Sequence, residues 1–304
     1  SRVRLLPAAG KPVRRPLRIM CLNYEYPPMG GGAGNATRHT AIELSRRGHI
    51  VHVLTSRLPQ QPDVETEGNL VVYRVFSHRQ SIHQAGLLGG LTYLFGAFAR
   101  LRRLSRSEDY DLFHFYFGLP TGLLALYVRL VLKKPYIIAL RGSDVPGYDN
   151  TRHYLRYLHG LLNPLTRYIW NGASAVTALS QHLKALAKTA VPTVDISVIN
   201  NGVNTELFPP LPKTTTSVGP VRLLCVCRLI RRKGLEYLLR AMCELKERGV
   251  TLQIVGTGER EAQIRELVRS LELEDHVDLV GYVPRERLVD YYNKADIFVL
   301  PSLS

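Results

Sequence analysis

The chain is poor in cysteine, with four in 304 residues, too few for a disulfide scaffold. Thiols at that density read as reduced and favour a cytosolic setting. Long apolar runs are missing too. The longest charge-free stretch, Gln80–Ala99, contains four Gly, two Gln, a Ser and a Thr. That is too polar for a transmembrane helix, which needs about 20 mostly apolar residues. The opening stretch Ser1–Arg18 holds six basic side chains and no acid. It lacks the apolar centre of a secretory signal and reads as a basic extension, either a solvated tail or a membrane-contacting arm. No helix-turn-helix, zinc-finger or RNA-binding aromatic pattern is present, so no specific nucleic-acid partner is expected.

Acids are scarce in one part only. Residues 1–204 carry 25 Lys and Arg against 11 Asp and Glu, whereas residues 221–304 carry 14 against 13. The net charge of +15 is therefore a property of the first part. It suggests a polyanionic partner, either a nucleic acid or an anionic membrane face, the latter with a peripheral place at the inner side of a membrane. Gln80–Ala99 runs into Arg100, Arg102, Arg103 and Arg106. This segment is either a core helix with a solvated end or one lying in an anionic interface.

Short apolar runs alternate with amphipathic segments along the chain. Strands are expected at Leu17–Tyr24, Ile50–Ser56, Leu70–Ser77, Asp111–Tyr116, Pro135–Gly142, Ser174–Leu179 and Asp195–Asn200. Helices are expected at about 35–47, 84–106, 119–133 and 153–172, with Ser180 as N-cap of another reaching Lys188. Such alternation implies a parallel sheet covered on both faces. The four Pro and the Thr/Ser run of Phe208–Pro220 interrupt it. Strands at Val221–Leu229, Thr251–Gly256, Val277–Val283 and Asp296–Leu300 then alternate with three helices. The expected organisation is a basic extension (1–18), a Rossmann-like domain (19–204), a linker (205–220) and a second, partial Rossmann-like domain (221–304).

Four loops fall at the carboxyl ends of these strands, where doubly wound sheets bind ligands. Met29–Asn35 (MGGGAGN) opens a helix, and glycines there let backbone N–H groups approach a phosphate. By itself this is a weak signal. The spacing only loosely matches G-x-G-x-x-G, and no acid ends the second strand, which argues against NAD. Arg228–Gly234 (RLIRRKG) sets Arg228 and Lys233 at a helix start. An Arg fork and a Lys point charge there suit a diphosphate, although a solvated basic turn has the same look. Gly256 and the pair Tyr282–Val283 end the next two strands. Three loops on one edge are a stronger sign than any one of them.

These residues carry a resemblance. The Ile199–Phe208 segment (INNGVNTELF), the Arg228–Gly234 turn and Gly281–Ser302 (GYVPRERLVDYYNKADIFVLPS) resemble the retaining GT-B glycosyltransferases of family 4. So do Gly30–Asn35 and Asp111–His114 (DLFH) in the first part. The resemblance runs from Leu17 to Ser304. It implies an α/β fold of two Rossmann-like domains and transfer of a sugar, with retention, from a nucleotide-diphosphate-sugar. That donor is a substrate, so no cofactor and no metal are expected. Arg228 and Lys233 would bind the diphosphate and stabilise the leaving nucleotide. Gly31 and Gly32 would contact the same phosphates, Gly256 would lie at the donor, and the backbone at Tyr282 and Val283 would hold the base. The acceptor would sit in the N-terminal domain, with a lipid-linked sugar among the candidates. Cell-envelope or polysaccharide glycan synthesis is the implied setting.

Departures from the family pattern matter. The usual H-x-H is His114-Phe115-Tyr116 here. That leaves His114 either catalytic or a packed strand residue, and Tyr116 a donor or orienter rather than a base. The usual His-Gly-x-Asp is Arg141-Gly142-Ser143-Asp144. Arg141 would bind an acceptor phosphate or a donor hydroxyl with Asp144 orienting it, or the two form a salt-bridged turn. Cys227 replaces a Gly, and with Cys225 reads as buried rather than metal-binding. The family's Glu-Gly-Phe-Gly segment and its second Glu do not occur before Ser304, so impaired activity is expected of this sequence as written. Two alternatives stand beside the transferase: another GT-B enzyme such as a nucleotide-sugar epimerase, or a non-catalytic basic binding domain.

Overall fold

The computed structural model describes residues 15–29, 31–79, 86–148, 153–211 and 219–303, with the backbone alone for 153–156. Most of the basic extension, Gly30, the start of the Gln80–Ala99 window and residues 212–218 of the expected linker lie outside them. The chain divides into two units after Gly202.

The first unit is built on an eight-stranded sheet of order β3-β4-β2-β1-β5-β6-β7-β8. Its strands are β1 (Arg18–Leu22), β2 (Ile50–Arg57), β3 (Val64–Glu67), β4 (Leu70–Phe76), β5 (Leu112–Tyr116), β6 (Tyr136–Ala139), β7 (Ala175–Ala178) and β8 (Ile196–Val198). All pair in parallel except β3, which runs antiparallel to β4. The sequence reading missed β3 because its exposed Val-Glu-Thr-Glu carries no apolar signal. Alternate residues of β1 and β2 feed two cores. Ile19, Cys21, Val51 and Val53 pack with Ala41 of helix α1 (Gly32–Arg46). Met20, Leu22 and Leu54 pack on the other side with Tyr93, Leu101 and Trp170. A strand buried on both faces must be apolar at every position, which is why these segments read as continuous runs.

That second face is covered by α2 (Gly86–Ser107), by a winding over 121–132, by α4 (His153–Asn171) and by α5 (Gln181–Ala190). The Ser180 hydroxyl accepts the Leu183 N–H at 3.1 Å, capping α5 as the sequence suggests. The helix expected at 119–133 is instead a tight turn (Thr121–Leu124), one α-helical turn, α3 (Ala125–Tyr127), and a wide turn (Val128–Leu132). It ends at Lys133 with φ 52°. Arg100 also departs from expectation. It does not join Arg102, Arg103 and Arg106 at the surface, because its guanidinium packs 4.8 Å over the Tyr73 ring.

The second unit has a parallel sheet of order β11-β10-β9-β12, from β9 (Val221–Val226), β10 (Val250–Val255), β11 (Val277–Gly281) and β12 (Ile297–Phe298). Helices α6 (Leu235–Leu245) and α7 (Glu261–Ser270) bury Leu239, Met242, Ile264 and Val268 against Leu223, Cys225, Leu252 and Ile254. Part of the expected linker is docked rather than free. Asn293 of α8 (Leu288–Lys294) accepts the Leu211 N–H at 2.8 Å and donates to the Pro209 carbonyl at 3.1 Å. Phe208 packs edge-on against Tyr292.

Candidate active site

Each unit gathers its chemistry at the carboxyl edge of its sheet, where neighbouring strands send their chains in opposite directions. In the first unit that place lies between β1 and β5. β1 is followed by Asn23, whose amide is buried and donates to the Thr37 hydroxyl at 2.6 Å. This fixes the start of α1. Gly31 caps that helix without a side-chain hydrogen bond, and its first turn holds no acid. A Cβ on Gly31 or Gly32 would meet nothing within 4 Å. Space beside the backbone at a helix start without a side-chain cap is a condition that favours anion binding.

β5 carries His114 and Tyr116 on one face, with rings stacked at 4.3 Å. Tyr116 is buried at the edge, and His114 lies two residues deeper, about 7 Å along the strand. Burial, aided by the Arg141 cation, holds the His114 imidazole down at about 3, so the ring is neutral near pH 7. Arg141 follows β6 with its guanidinium 4.7 Å over the Tyr116 ring. Its Nη1 donates to Asn201 at 2.9 Å. Its Nε is buried with no partner among the described residues.

Asp144 does not form a salt bridge with Arg141 and engages both its oxygens with backbone donors. Oδ1 accepts the N–H of Arg141 at 2.9 Å and of Gly142 at 2.8 Å, and Oδ2 accepts the Gly118 N–H at 2.6 Å. Burial raises its carboxyl above the ordinary range, and these backbone donors pull against that. Asp144 thus ties the loop after β5 to the turn after β6 that carries Arg141. Sequence reasoning missed Asn201, although it lies in the quoted Asn-Asn-Gly-Val run. It also missed Arg79, which donates to the Tyr24 carbonyl at 3.0 Å and braces the loop after β1.

In the second unit the corresponding place lies between β9 and β12. Arg228 is exposed and Lys233 half-buried. Lys233 Nζ donates to the Ser302 hydroxyl at 3.3 Å, on the loop after β12. Gly234 makes that approach possible. It has φ 62°, and a Cβ there would sit 2.3 Å from the Pro301 carbonyl oxygen. Gly256 lies on the same edge. At φ 134° its absent Cβ would fall 1.9 Å from the Cys227 carbonyl oxygen. A side chain there would stop two loops of this edge from packing. The same contact keeps Cys227 N–H on the Val255 carbonyl at 3.0 Å. Tyr282 is 75% exposed and Val283 half-buried just beyond β11, two strands or about 10 Å along the edge from β9. The Cys225 thiol is buried, as expected, and Cys227 is half-buried 3.8 Å from it.

Residues 30–207 match the family model described as Glycosyltransferase Family 4, and residues 212–304 the one described as Glycosyl transferases group 1. The chain belongs to glycosyltransferase family 4. This glycosyltransferase is 25% identical over 297 residues to a GDP-mannose-dependent alpha-(1-6)-phosphatidylinositol monomannoside mannosyltransferase of Mycobacterium tuberculosis, covering 93% of this chain and 72% of that protein. It is 32% identical over 204 residues to the amylovoran biosynthesis glycosyltransferase AmsK of Erwinia amylovora. That match spans 64% of this chain and 46% of AmsK. Among solved structures it resembles a sucrose-phosphate synthase of Thermosynechococcus elongatus, with TM-score 0.78, 22% identity and coverage of 94% and 75%. It also resembles Anabaena HepE in complex with UDP-glucose, with TM-score 0.65, 18% identity and coverage of 95% and 74%. The glycosyltransferase thus has the GT-B type of fold, with two Rossmann-like units.

Proposed function

We propose that this glycosyltransferase moves a sugar from a nucleotide-diphosphate-sugar, with retention and without a metal, to an acceptor held by the first unit. The setting is assembly of a cell-envelope or polysaccharide glycan on the inner side of a membrane. Lys233 carries the reading. A cation sits at the switch point of the second sheet, braced by Ser302 beside an exposed Arg228. Charge-assisted contacts from both would hold the diphosphate and stabilise the leaving nucleotide, so no metal is required. In the first unit, Gly31 and Gly32 at the start of α1 suit an anionic group. Tyr282 and Val283 suit the base. Arg141, with its unpaired Nε, would take an anionic or hydroxyl group of the acceptor, stacked on Tyr116 and aimed by Asp144. The neutral His114 would act as a hydrogen-bonding neighbour, not as a charged acid.

The relatives' names support the setting. One acts on a phosphatidylinositol mannoside and another in amylovoran biosynthesis. The test is titration calorimetry with UDP and GDP on the wild type and Lys233→Ala. Loss of a charge-assisted bond predicts roughly 10–100-fold weaker binding. Unchanged affinity would reject the assignment. With a turning-over donor, the anomeric configuration of the product and insensitivity to chelator check retention and metal independence. Consumption of donor alone into an isomer would mark an epimerase.

A further inference from the structure

Cys225 and Cys227 form a pair that the transferase reading does not use. They lie two residues apart, so both face the core that α6 covers. Their Sγ atoms are 3.8 Å apart, close to contact. Cys225 is fully buried within β9. Cys227 is half-buried just past the end of that strand, directly before Arg228. One sulfur is therefore open to a small reagent, and the other lies behind it. Cys21 and Cys243 differ. Burial pushes the Cys21 thiol up to about 12, and Cys243 gives its thiol to the Leu239 carbonyl at 3.8 Å.

The two thiols are also unequal in chemistry. Hydrogen bonding from the Cys225 thiol holds the Cys227 thiol below its ordinary range against the effect of burial, and the Lys233 cation adds to this. The same contact and burial push the Cys225 thiol upward. A thiolate is the form that attacks an oxidant, so Cys227 is the attacking sulfur and Cys225 its neighbour in reserve. We propose that Cys227 is a peroxide-sensitive thiol, that Cys225 resolves it to a disulfide, and that the disulfide turns off the diphosphate loop. The Cys227 sulfur attacks one oxygen of a hydroperoxide. The O–O bond breaks, a sulfenic acid forms on Cys227, and the other oxygen leaves as hydroxide or alkoxide. The Cys225 sulfur then attacks the sulfenyl sulfur. The S–O bond breaks, the S–S bond forms, and the oxygen leaves as water with the Cys225 proton. The two thiols together lose two electrons, which the peroxide gains.

Position gives the disulfide its effect. The sulfurs must close from 3.8 Å to about 2.05 Å. Cys225 lies inside β9, which is paired with β10 on one side and β12 on the other. Beyond Cys227, the Leu229 N–H is fixed to the Thr257 carbonyl at 3.0 Å. The closure therefore falls on Cys227, whose carbonyl is packed against Gly256, and on Arg228 between the two anchored points. The loss of diphosphate binding rests on the transferase reading; the thiol chemistry does not.

The test treats the reduced protein with hydrogen peroxide and follows two readouts. Trypsin cuts after Arg222 and Arg228, so both cysteines fall in one peptide, Leu223–Arg228. Mass spectrometry should find that peptide lighter by two hydrogens and closed to alkylation. Affinity for UDP or GDP, measured by calorimetry, should drop at least about tenfold on oxidation and return with dithiothreitol. That return separates the pair from methionine oxidation, which the reagent does not reverse. Cys225→Ala should stop at the sulfenic acid, trapped by dimedone on Cys227. Cys227→Ala should keep its nucleotide affinity in peroxide. Peroxide that leaves both thiols free overturns the proposal, as does a disulfide with unchanged affinity. So does a loss of binding through unfolding, read by far-ultraviolet circular dichroism. A disulfide formed in protein that binds neither UDP nor GDP when reduced would keep the thiol pair and reject the transferase reading.

Discussion

Removing the Asp144 carboxylate should loosen the first unit, and the cost follows from what it holds. The residue is 1% exposed and accepts three backbone N–H groups, those of Gly118, Arg141 and Gly142. In Asp144→Ala those donors lose an ionised acceptor. A buried donor left unpaired costs about 1–3 kcal/mol. Relief of carboxylate burial, which raises its pKa, and water entering the space return part of that. A net loss of about 3 kcal/mol is expected, or a fall of roughly 6–12 °C in midpoint for a unit of this size. The chain's single tryptophan is a built-in probe. Trp170 is buried in this unit, and a Cβ on Gly118 would fall 2.7 Å from its Nε1. Its fluorescence therefore reports the loop that Asp144 ties down. Asp144→Asn keeps one oxygen for Arg141 and Gly142 but sets an amide against Gly118, and should cost less, about 1–2 kcal/mol. A wild-type melting curve for Asp144→Ala would refute this account. So would an Asp144→Asn variant with a fully wild-type fold and no acceptor binding, which would make Asp144 a direct ligand.

Two further outcomes are expected. His52 is buried with its Nδ1 2.7 Å from the Tyr110 hydroxyl. Burial, with the Arg18 charge nearby, pushes its pKa down to about 4. The unfolded chain takes up a proton near pH 6.5 that the folded ring refuses. Stability is therefore whole above that pH and falls as pH drops toward 4, by about 2 kcal/mol at pH 5. Urea unfolding followed by Trp170 should show a clearly smaller loss between pH 7 and pH 5 in His52→Gln; an equal loss would count against the assignment. In the second unit, Gly256→Ala must push a methyl group into the Cys227 carbonyl at φ 134°, at a cost of about 3 kcal/mol or more. Gly281→Ala, at φ 79° with open space around it, should cost only about 1 kcal/mol. Chemical denaturation followed by circular dichroism compares the two, and similar midpoints would refute the packing role of Gly256.

Most strands were legible because burial on both faces demands apolar runs at their own positions. β3 was not, since an exposed edge strand needs no such run. The winding 121–132 carries helical composition, yet its turn type is set by packing around Leu124 and Val128. At the candidate site, Arg228 and Lys233 were visible as a basic turn at a strand end, but spacing alone left a solvated turn equally open, and their role came from the resemblance. Arg141 and Asp144 were visible as a turn, but their partners were not. Asn201 lies sixty residues from Arg141, and no local pattern announces a pairing at that distance. Gly256 was conspicuous as a glycine, but the Cys227 carbonyl packed against it was not visible in the sequence.

The sequence by itself determined two parallel α/β units, the glycine- and cation-bearing loops at their strand ends, and a charge excess confined to the first. Periodicity and turn chemistry act over a few residues, so they can be read in order along the chain. The tertiary structure alone decided that Asp144 is spent on backbone donors and that Arg100 turns inward to Tyr73. Those facts depend on which distant segments meet, and burial and charge have consequences only once they do.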